Sequence, residues 1–516
     1  MSGPVKSVVV VGGGTAGWLT AGIIAAQHGR DPTSGFTVTL VESPTIPIIG
    51  VGEGTWPTMR ATLESLDVSE TEFLRECDAA FKQGAKFVNW ATNKPGEGYY
   101  HPLVLPEAYL DLNLAPAWQS SFATPFAYAV SAQADICDQH RAPKQITTPE
   151  YAAVQNYAYH LDAGKFAGFL QRHCTRNLGV RHVLADVTGI EAAENGDIAA
   201  VATKQEGSIA GDLFVDCTGF RSLLIGEHFK VPFHALNDIL FIDTALAIQV
   251  PYDSDEAPIA SHTISTGQSA GWIWDIGLWT RRGVGHVYSS RHISEDQALR
   301  ELRAYLRPTV PGVDRLEPRK IGIRSGRRET FWVNNCVAVG LSSGFLEPLE
   351  SSAIVLVELY AQMIAQQMPQ DRSAMEIIAR RFNDKFRYRW DRVVDFLKLH
   401  YVLSRRTDSA FWIENRLPET VPESLRELLE LWRYQGPWHN DFDRVDEVFP
   451  SASYQYVLYG MGFETKPSAR WGSKQYRNDA RQAFARNADR ADRLVGALPT
   501  NRELLRRIRE FGLQRI

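Results

Sequence analysis

The feature that most restricts the fold lies within the first seventeen residues. Four consecutive valines, residues 8–11, run directly into Gly12-x-Gly14-x-x-Gly17. An unbroken β-branched run reads as a strand buried on both faces of a parallel sheet, not as one alternating between core and water. In such a motif Gly12 allows the tight turn, Gly14 lets a pyrophosphate approach the backbone, and Gly17 lets the next helix close on the strand. Thr15 and Ala16 lie where the turn meets that helix, expected over residues 16–27, and its first amides present unpaired N–H groups and a positive dipole end to phosphate. A second strand, residues 36–41, ends at Glu42, where a carboxylate accepts from the adenosine ribose hydroxyls. The chain thus opens with a dinucleotide-binding βαβ unit. One fingerprint alone does not distinguish FAD from NAD. The absence of a second suits a flavin that is reduced elsewhere.

Composition narrows the partners. A hydrophobic fraction of 44%, a charged fraction of 22% and a net charge of −5 over 516 residues allow a sizeable core and offer no basic face for nucleic acid. Cys77, Cys137, Cys174, Cys217 and Cys336 are dispersed without a CxxC pair, which predicts reduced thiols and neither a disulfide framework nor a metal site. No apolar run reaches the roughly 18 residues of a membrane span, and the first apolar run is too short for a signal segment. A cytoplasmic protein is expected.

Further along, residues 187–193 and 198–204 flank Glu194-Asn195-Gly196-Asp197, a hairpin with an Asn-Gly turn. Residues 210–217 return as a buried strand. Residues 239–287 alternate apolar and polar and predict a second, antiparallel sheet. Residues 337–340 form another short buried strand, and 352–368 a helix. Beyond residue 377 the chain reads as helical. The expected organisation is an α/β body over 1–376 with the second sheet interleaved, and a helical subdomain over 377–516 packed on it.

Four motifs carry more information than the glycine turn: Gly50-Val51-Gly52-Glu53-Gly54-Thr55, Ala80-Phe81-Lys82-Gln83-Gly84, Gly271-Trp272-Ile273-Trp274-Asp275-Ile276, and residues 344–352, GFLEPLESS. In this order, and across most of the chain, the set resembles the flavin-dependent tryptophan halogenase family. The resemblance implies an FAD-binding flavin-monooxygenase-like fold of glutathione-reductase type, with the helical region completing the substrate pocket. It also implies that a separate NAD(P)H flavin reductase supplies FADH2, and that O2 and bound chloride or bromide yield hypohalous acid at the flavin. The oxidant then reaches a lysine matching Lys82, which either hydrogen-bonds it or becomes a haloamine. The family's catalytic glutamate matches Glu350. Cofactor positions add Gly50, Val51, Leu341 and Ile354 to the glycine turn. The halide would rest on backbone N–H groups of Ser352 and Ala353, where the family usually has Thr and Gly. A homodimer is a further family-level expectation.

Independent of resemblance, an ammonium in an aromatic pocket needs a carboxylate to offset its desolvation. The expectation is that the Lys82 nitrogen and the Glu350 carboxylate meet in a dry chamber, walled off by indole rings from the dinucleotide. The plain alternative for Lys82 is an exposed helix lysine near Glu53, Glu72 or Glu76. Trp272 and Trp274, two apart on a strand, face one side; in the family they separate substrate from flavin and suppress direct hydroxylation. The resemblance also implies that His101, in Tyr99-Tyr100-His101-Pro102, and Tyr454 lie on the substrate side. Two departures bear on substrate: Gly277 stands where the family has Pro, and Tyr454 where tryptophan-specific members have Trp. An indole, a phenol or a larger aromatic natural product fits equally. The rival functions are an aromatic monooxygenase using NAD(P)H directly and a non-catalytic flavin-binding protein.

Overall fold

The computed structural model describes residues 3–29, 33–46, 52–121, 124–442, 444, 447–466 and 471–515. Gly50 and Val51 therefore lie outside the described residues. The chain packs as two compact units, each assembled from three separated segments: 1–79, 161–236 and 324–390 in one, 80–160, 237–323 and 391–516 in the other. The helical residues beyond 377 are thus divided between the units. Contiguous sequence carries no signal for that division, because the chain leaves and re-enters each core twice.

The first unit is built on a six-stranded sheet ordered Trp332–Val333, Cys336–Ala338, Leu213–Asp216, Ser7–Val11, Thr37–Glu42, Arg181–Leu184. All neighbours are parallel except the first two strands. The valine run sits at its centre, with Val8, Val9, Val10 and Val11 all buried, as a strand covered on both faces requires. The helix Thr15–His28 follows and packs on the helices Ala163–Asn177 and Ser352–Gln366. Being enclosed by sheet and helices, it is apolar nearly all round, with every residue from Gly17 to Ala25 buried. The expected hairpin is present as Val187–Ala192 and Ile198–Thr203, with Gly196 at φ +82°. Residues 210–217 are not one strand. Gly207–Ala210 pairs back onto the hairpin as a third meander strand, and after Gly211 and Asp212 the chain re-enters the parallel sheet as Leu213–Asp216. The apolar run spans both pieces, so periodicity alone misses the break.

The second unit carries a seven-stranded sheet ordered Arg319–Gly322, Thr244–Pro251, Arg281–Tyr288, Gly271–Gly277, Thr263–Gln268, Gly84–Val88, Gly98–Pro102. Its pairings are antiparallel apart from Thr263–Gln268 with Gly84–Val88. One face packs Ile273, Val284 and Leu246 against Ala298, Leu302 and Leu306 of the amphipathic helix Glu295–Leu306. Trp272 and Trp274 consequently lie on the other face. Among the described residues no helix is long and apolar enough to cross a membrane. All five cysteines are free thiols.

Candidate active site

Three strand ends converge at the glycine turn. The Gly12 amide donates to the Val41 carbonyl (2.8 Å), and the Cys217 amide to the Val11 carbonyl (2.8 Å). Gly12 has φ +117°, and a β-carbon there would come within 2.2 Å of the Cys217 carbonyl oxygen. A β-carbon on Gly17 would come within 1.8 Å of the Gly12 oxygen, so helix and turn touch backbone to backbone. On the outer side, a β-carbon on Gly14 would meet nothing within 4 Å, and Gly14 caps the helix without a side-chain bond. Trp18 is the first amide to find an intrahelical carbonyl, that of Gly14 (3.1 Å). The amides of Thr15, Ala16 and Gly17 precede that ladder and are suited to phosphate. Glu42 tucks beneath the turn, its Oε2 where a β-carbon on Gly13 would lie, and its Oε1 is 2.7 Å from Nε2 of His182. The cradle fits the pyrophosphate and adenosine end of a dinucleotide.

Asp216 was not singled out from sequence. It is fully buried at the end of its strand, where Oδ2 accepts the amides of Leu224 and Ile225 (both 2.8 Å) and Oδ1 accepts the Thr218 amide and hydroxyl (3.0 and 2.6 Å). It thereby fixes the segment that presents Cys217 to the glycine turn. The available signal was Asp-Cys-Thr-Gly at the close of a buried strand, the spacing of an Asx turn.

A strained bend in the first unit surrounds Glu350. Glu350 (φ 62°, ψ 8°) and Ser351 (φ 57°, ψ 40°) are consecutive left-handed residues just before the helix Ser352–Gln366. Each non-glycine residue so placed costs on the order of 1–3 kcal/mol, and such strain concentrates at functional sites. Trp56 holds the bend, its indole N–H donating to the Glu350 carbonyl (3.0 Å). Ser352 and Ala353 are the first residues of this helix, and the side chain of its N-cap Ser351 makes no capping hydrogen bond. Their amides belong to the unpaired first turn and present a positive dipole end. Ile354 is buried one residue on, and Leu341 lies in the short 3-10 turn Gly340–Ser342.

Glu358, one turn further, ties this helix to the helix that follows the Gly-Glu-Gly-Thr-Trp motif. Its carboxylate accepts from the hydroxyls of Thr62 (2.5 Å) and Thr58 (3.2 Å). Burial pushes its pKa up to about 8 from 4.5, outweighing the two hydroxyl donors. The folded chain therefore keeps a proton that the unfolded chain has lost, so stability declines as pH rises from 4.5 to about 8 and is level above that. Glu358→Gln is expected to abolish that decline, which is on the order of 2–4 kcal/mol. Urea midpoints at pH 5 and pH 8 check this; parallel pH dependences in the two proteins would refute it.

In the second unit Lys82 ends the strand Ala80–Lys82 and is only 3% exposed, so it is neither helical nor at the surface. Trp272 is buried beside Trp90 (ring centroids 6.1 Å apart), and Trp90 abuts Trp412 (5.5 Å). The Trp274 indole lies across its cross-strand partner Gly285, where a β-carbon would come within 2.1 Å of the ring. A bulkier residue at 285 would displace it. His101 and Tyr454 share one aromatic cluster: Phe396 lies 5.6 Å from His101 and 4.9 Å from Tyr454, and stacks on Phe449 at 3.8 Å. Trp432 and Phe442 flank Tyr454 at 5.1 and 5.0 Å. Apart from His101 this cluster comes from the helical end of the chain. Gly277 is crowded by Ile259 and Tyr252, at 3.0 and 3.3 Å from a β-carbon placed there. A proline at 277 would require them to shift.

A parallel sheet that ends in a dinucleotide turn in one unit, and in the other a buried lysine on a short three-stranded sheet and two indoles on one face of a seven-stranded sheet, are the features of an FAD-dependent halogenase. Comparison with known proteins agrees along the chain. Residues 7–475 match the tryptophan halogenase family, and the chain belongs to it. It is similar to the tryptophan halogenase from Shewanella frigidimarina NCIMB 400, with 45% identity, 99% of each chain covered and a TM-score of 0.96. It is 34% identical to tryptophan 7-halogenase RebH of Lentzea aerocolonigenes over 98% of this chain and 99% of that protein. BrvH, a flavin-dependent halogenase from Brevundimonas sp. BAL3, is 35% identical with a TM-score of 0.84, covering 98% of this chain and 99% of its own.

Proposed function

We propose that the chain uses FADH2 from a separate NAD(P)H flavin reductase, together with O2 and chloride or bromide, to halogenate an electron-rich aromatic compound through Lys82. The bound flavin supplies the oxidation of halide. The pyrophosphate rests on the amides of Thr15, Ala16 and Gly17, with Glu42 on the adenosine ribose. Halide rests on the amides of Ser352 and Ala353. Lys82 carries the electrophilic halogen, and Glu350 polarises the oxidant and assists removal of the arene proton.

The observation that carries this reading is the burial of Lys82. Lysine is almost never fully buried for packing alone, because its ammonium loses hydration. A lysine held dry in the protein interior suits halogen transfer, and neither a direct hydroxylase nor a passive flavin carrier needs it. The aromatic cluster of His101, Phe396, Phe449 and Tyr454 supports a flat ring as substrate. Relatives are named for tryptophan. Tyr454 and Gly277 favour an indole not restricted to the free amino acid.

The test supplies FAD, a flavin reductase, NADH and bromide to the full chain with a panel of indoles and phenols, read by mass spectrometry. Brominated product is the expected result. Hydroxylated product would establish the monooxygenase alternative, and tight flavin binding without product the non-catalytic one.

A further inference from the structure

Lys82 does not stand alone on its strand. Ala80–Lys82 pairs antiparallel with Ala158–Asp162 in the register Ala80↔His160, Phe81↔Tyr159, Lys82↔Ala158. Alternation therefore places Lys82 and His160 on one face of the pair and Phe81 and Tyr159 on the other. The rings agree, since Phe81 meets Tyr157 and Tyr159 at 5.2 and 6.3 Å. His160 is wholly buried, with Nε2 2.8 Å from the Thr263 hydroxyl and Nδ1 without a hydrogen-bond partner. Burial, and then the positive charge of Lys82, hold its pKa well below the usual imidazole range.

Beyond His160 comes His262, also buried, its pKa lowered to about 3 chiefly by burial, with Lys86 and His140 acting in the same direction against Asp138. Its ring lies 6.2 Å from that of His140, nearly parallel at 11°, and 5.3 Å from Tyr100. The series ends at Asp138, whose carboxylate accepts from Lys86 (2.6 Å), Tyr100 (2.6 Å) and Tyr128 (2.5 Å). Lys86 and Asp138 are about one-third exposed, at 30% and 33%, so this end reaches bulk water.

The space between these residues is polar. His262 Nδ1, His140 Nδ1, Ser261 Oγ, Gln83 Oε1 and Asn501 Oδ1 are buried without a hydrogen-bond partner. Their backbones interlock, with the Gln83 amide on the Ser261 carbonyl (2.7 Å) and the Asn501 amide on the His140 carbonyl (2.8 Å). Gln83 Nε2 donates to the Arg141 carbonyl (2.7 Å), and Asn501 Nδ2 to that of Phe81 (3.1 Å). Native interiors leave only a few such atoms unpaired per hundred residues. Five gathered behind one buried lysine match the lining of an internal water chain, in which each water takes two to four polar partners.

We propose that His160, Ser261, His262 and His140, linked by ordered water, form a proton relay connecting the Lys82 ammonium to bulk solvent at Asp138. The proposal rests on Lys82 as the halogen carrier and decides its haloamine course. An ammonium has no lone pair, so a proton must leave before nitrogen attacks halogen: R–NH3+ + HOX → R–NHX + H2O + H+. The N–X bond forms, the O–X bond breaks, hydroxide departs with one proton as water, and the second proton enters the relay. Transfer to the ring restores it: R–NHX + ArH + H+ → R–NH3+ + ArX. Here C–X forms, N–X breaks, and nitrogen regains one proton from the arene and one from the relay. Imidazoles that stay neutral suit this use, because each accepts at one nitrogen as it releases from the other and holds no charge beside the lysine.

The test compares the full-length chain, supplied with FAD, reductase, NADH, bromide and an accepted indole, with His160→Gln, His262→Gln and His140→Gln. His140, the least buried of the three, is the variant least at risk of misfolding. Turnover is expected to fall on the order of 10²-fold for the two inner histidines, with the KM for indole unchanged. The solvent deuterium isotope effect on kcat should rise, added imidazole should restore part of the rate, and an added scavenger should trap free hypobromous acid. Lys82→Ala, run in parallel, separates the two ideas. Halogenation that survives Lys82→Ala overturns the carrier role. An inactive Lys82→Ala beside histidine variants with the parent turnover and isotope effect overturns the relay alone.

Discussion

Lys82→Ala is expected to eliminate halogenated product, a loss of at least about 10³-fold, while reduced flavin continues to be consumed. The size follows from the residue's position. No other group is proposed to carry the halogen, and a 3%-exposed lysine admits no solvent ammonium as a substitute. Lys82→Arg should be equally inactive, because a guanidinium cannot shed a proton at any working pH and so cannot take up halogen as a neutral amine. Lys82→Met has a separate consequence. It keeps the volume and removes a buried charge, and replacing buried charge by a well-packed apolar group is commonly neutral or stabilising by roughly 1–4 kcal/mol. A dead Lys82→Met that melts at or above the parent temperature would mark the lysine as retained for chemistry. One that melts several degrees lower would show that it is structural, and the carrier assignment would fall.

Glu350 gives the second large effect, in two parts that move in opposite directions. Glu350→Gln removes the charge but keeps the shape, and turnover is expected to drop on the order of 10²-fold as acid–base assistance is lost. Glu350→Gly should be at least as inactive, yet more stable than the parent by about 1 kcal/mol, because glycine adopts φ 62° without the penalty glutamate bears there. Thermal melts beside single-turnover bromination check both. A Glu350→Gly protein that is both inactive and less stable would mean the left-handed bend is sustained by the side chain, against the reading that Trp56 and the following helix impose it.

Much of this was legible in the chain itself. Four valines and three spaced glycines dictate a buried strand, a turn and a helix, because each step is local: β-branched bulk, a positive φ, a first turn of free amides. The Asn-Gly hairpin and the two-residue spacing of Trp272 and Trp274 were legible for the same reason. Less visible were features whose cause lies at a distance in sequence. Asp216 matters through the amides of Leu224 and Ile225, and Trp56 through the Glu350 carbonyl nearly three hundred residues away.

The boundary between local and distant causes is also where sequence stops and tertiary structure begins. Sequence by itself determined the dinucleotide turn, the strand–helix order around it and the residue types available for chemistry, since these follow from backbone sterics and side-chain period. Only the folded chain decided that Lys82 is dry, that His160 shares its face, and that Glu350 and Ser351 are left-handed. Burial and strain are properties of what surrounds a residue. Here those surroundings are drawn from three separated segments in each unit.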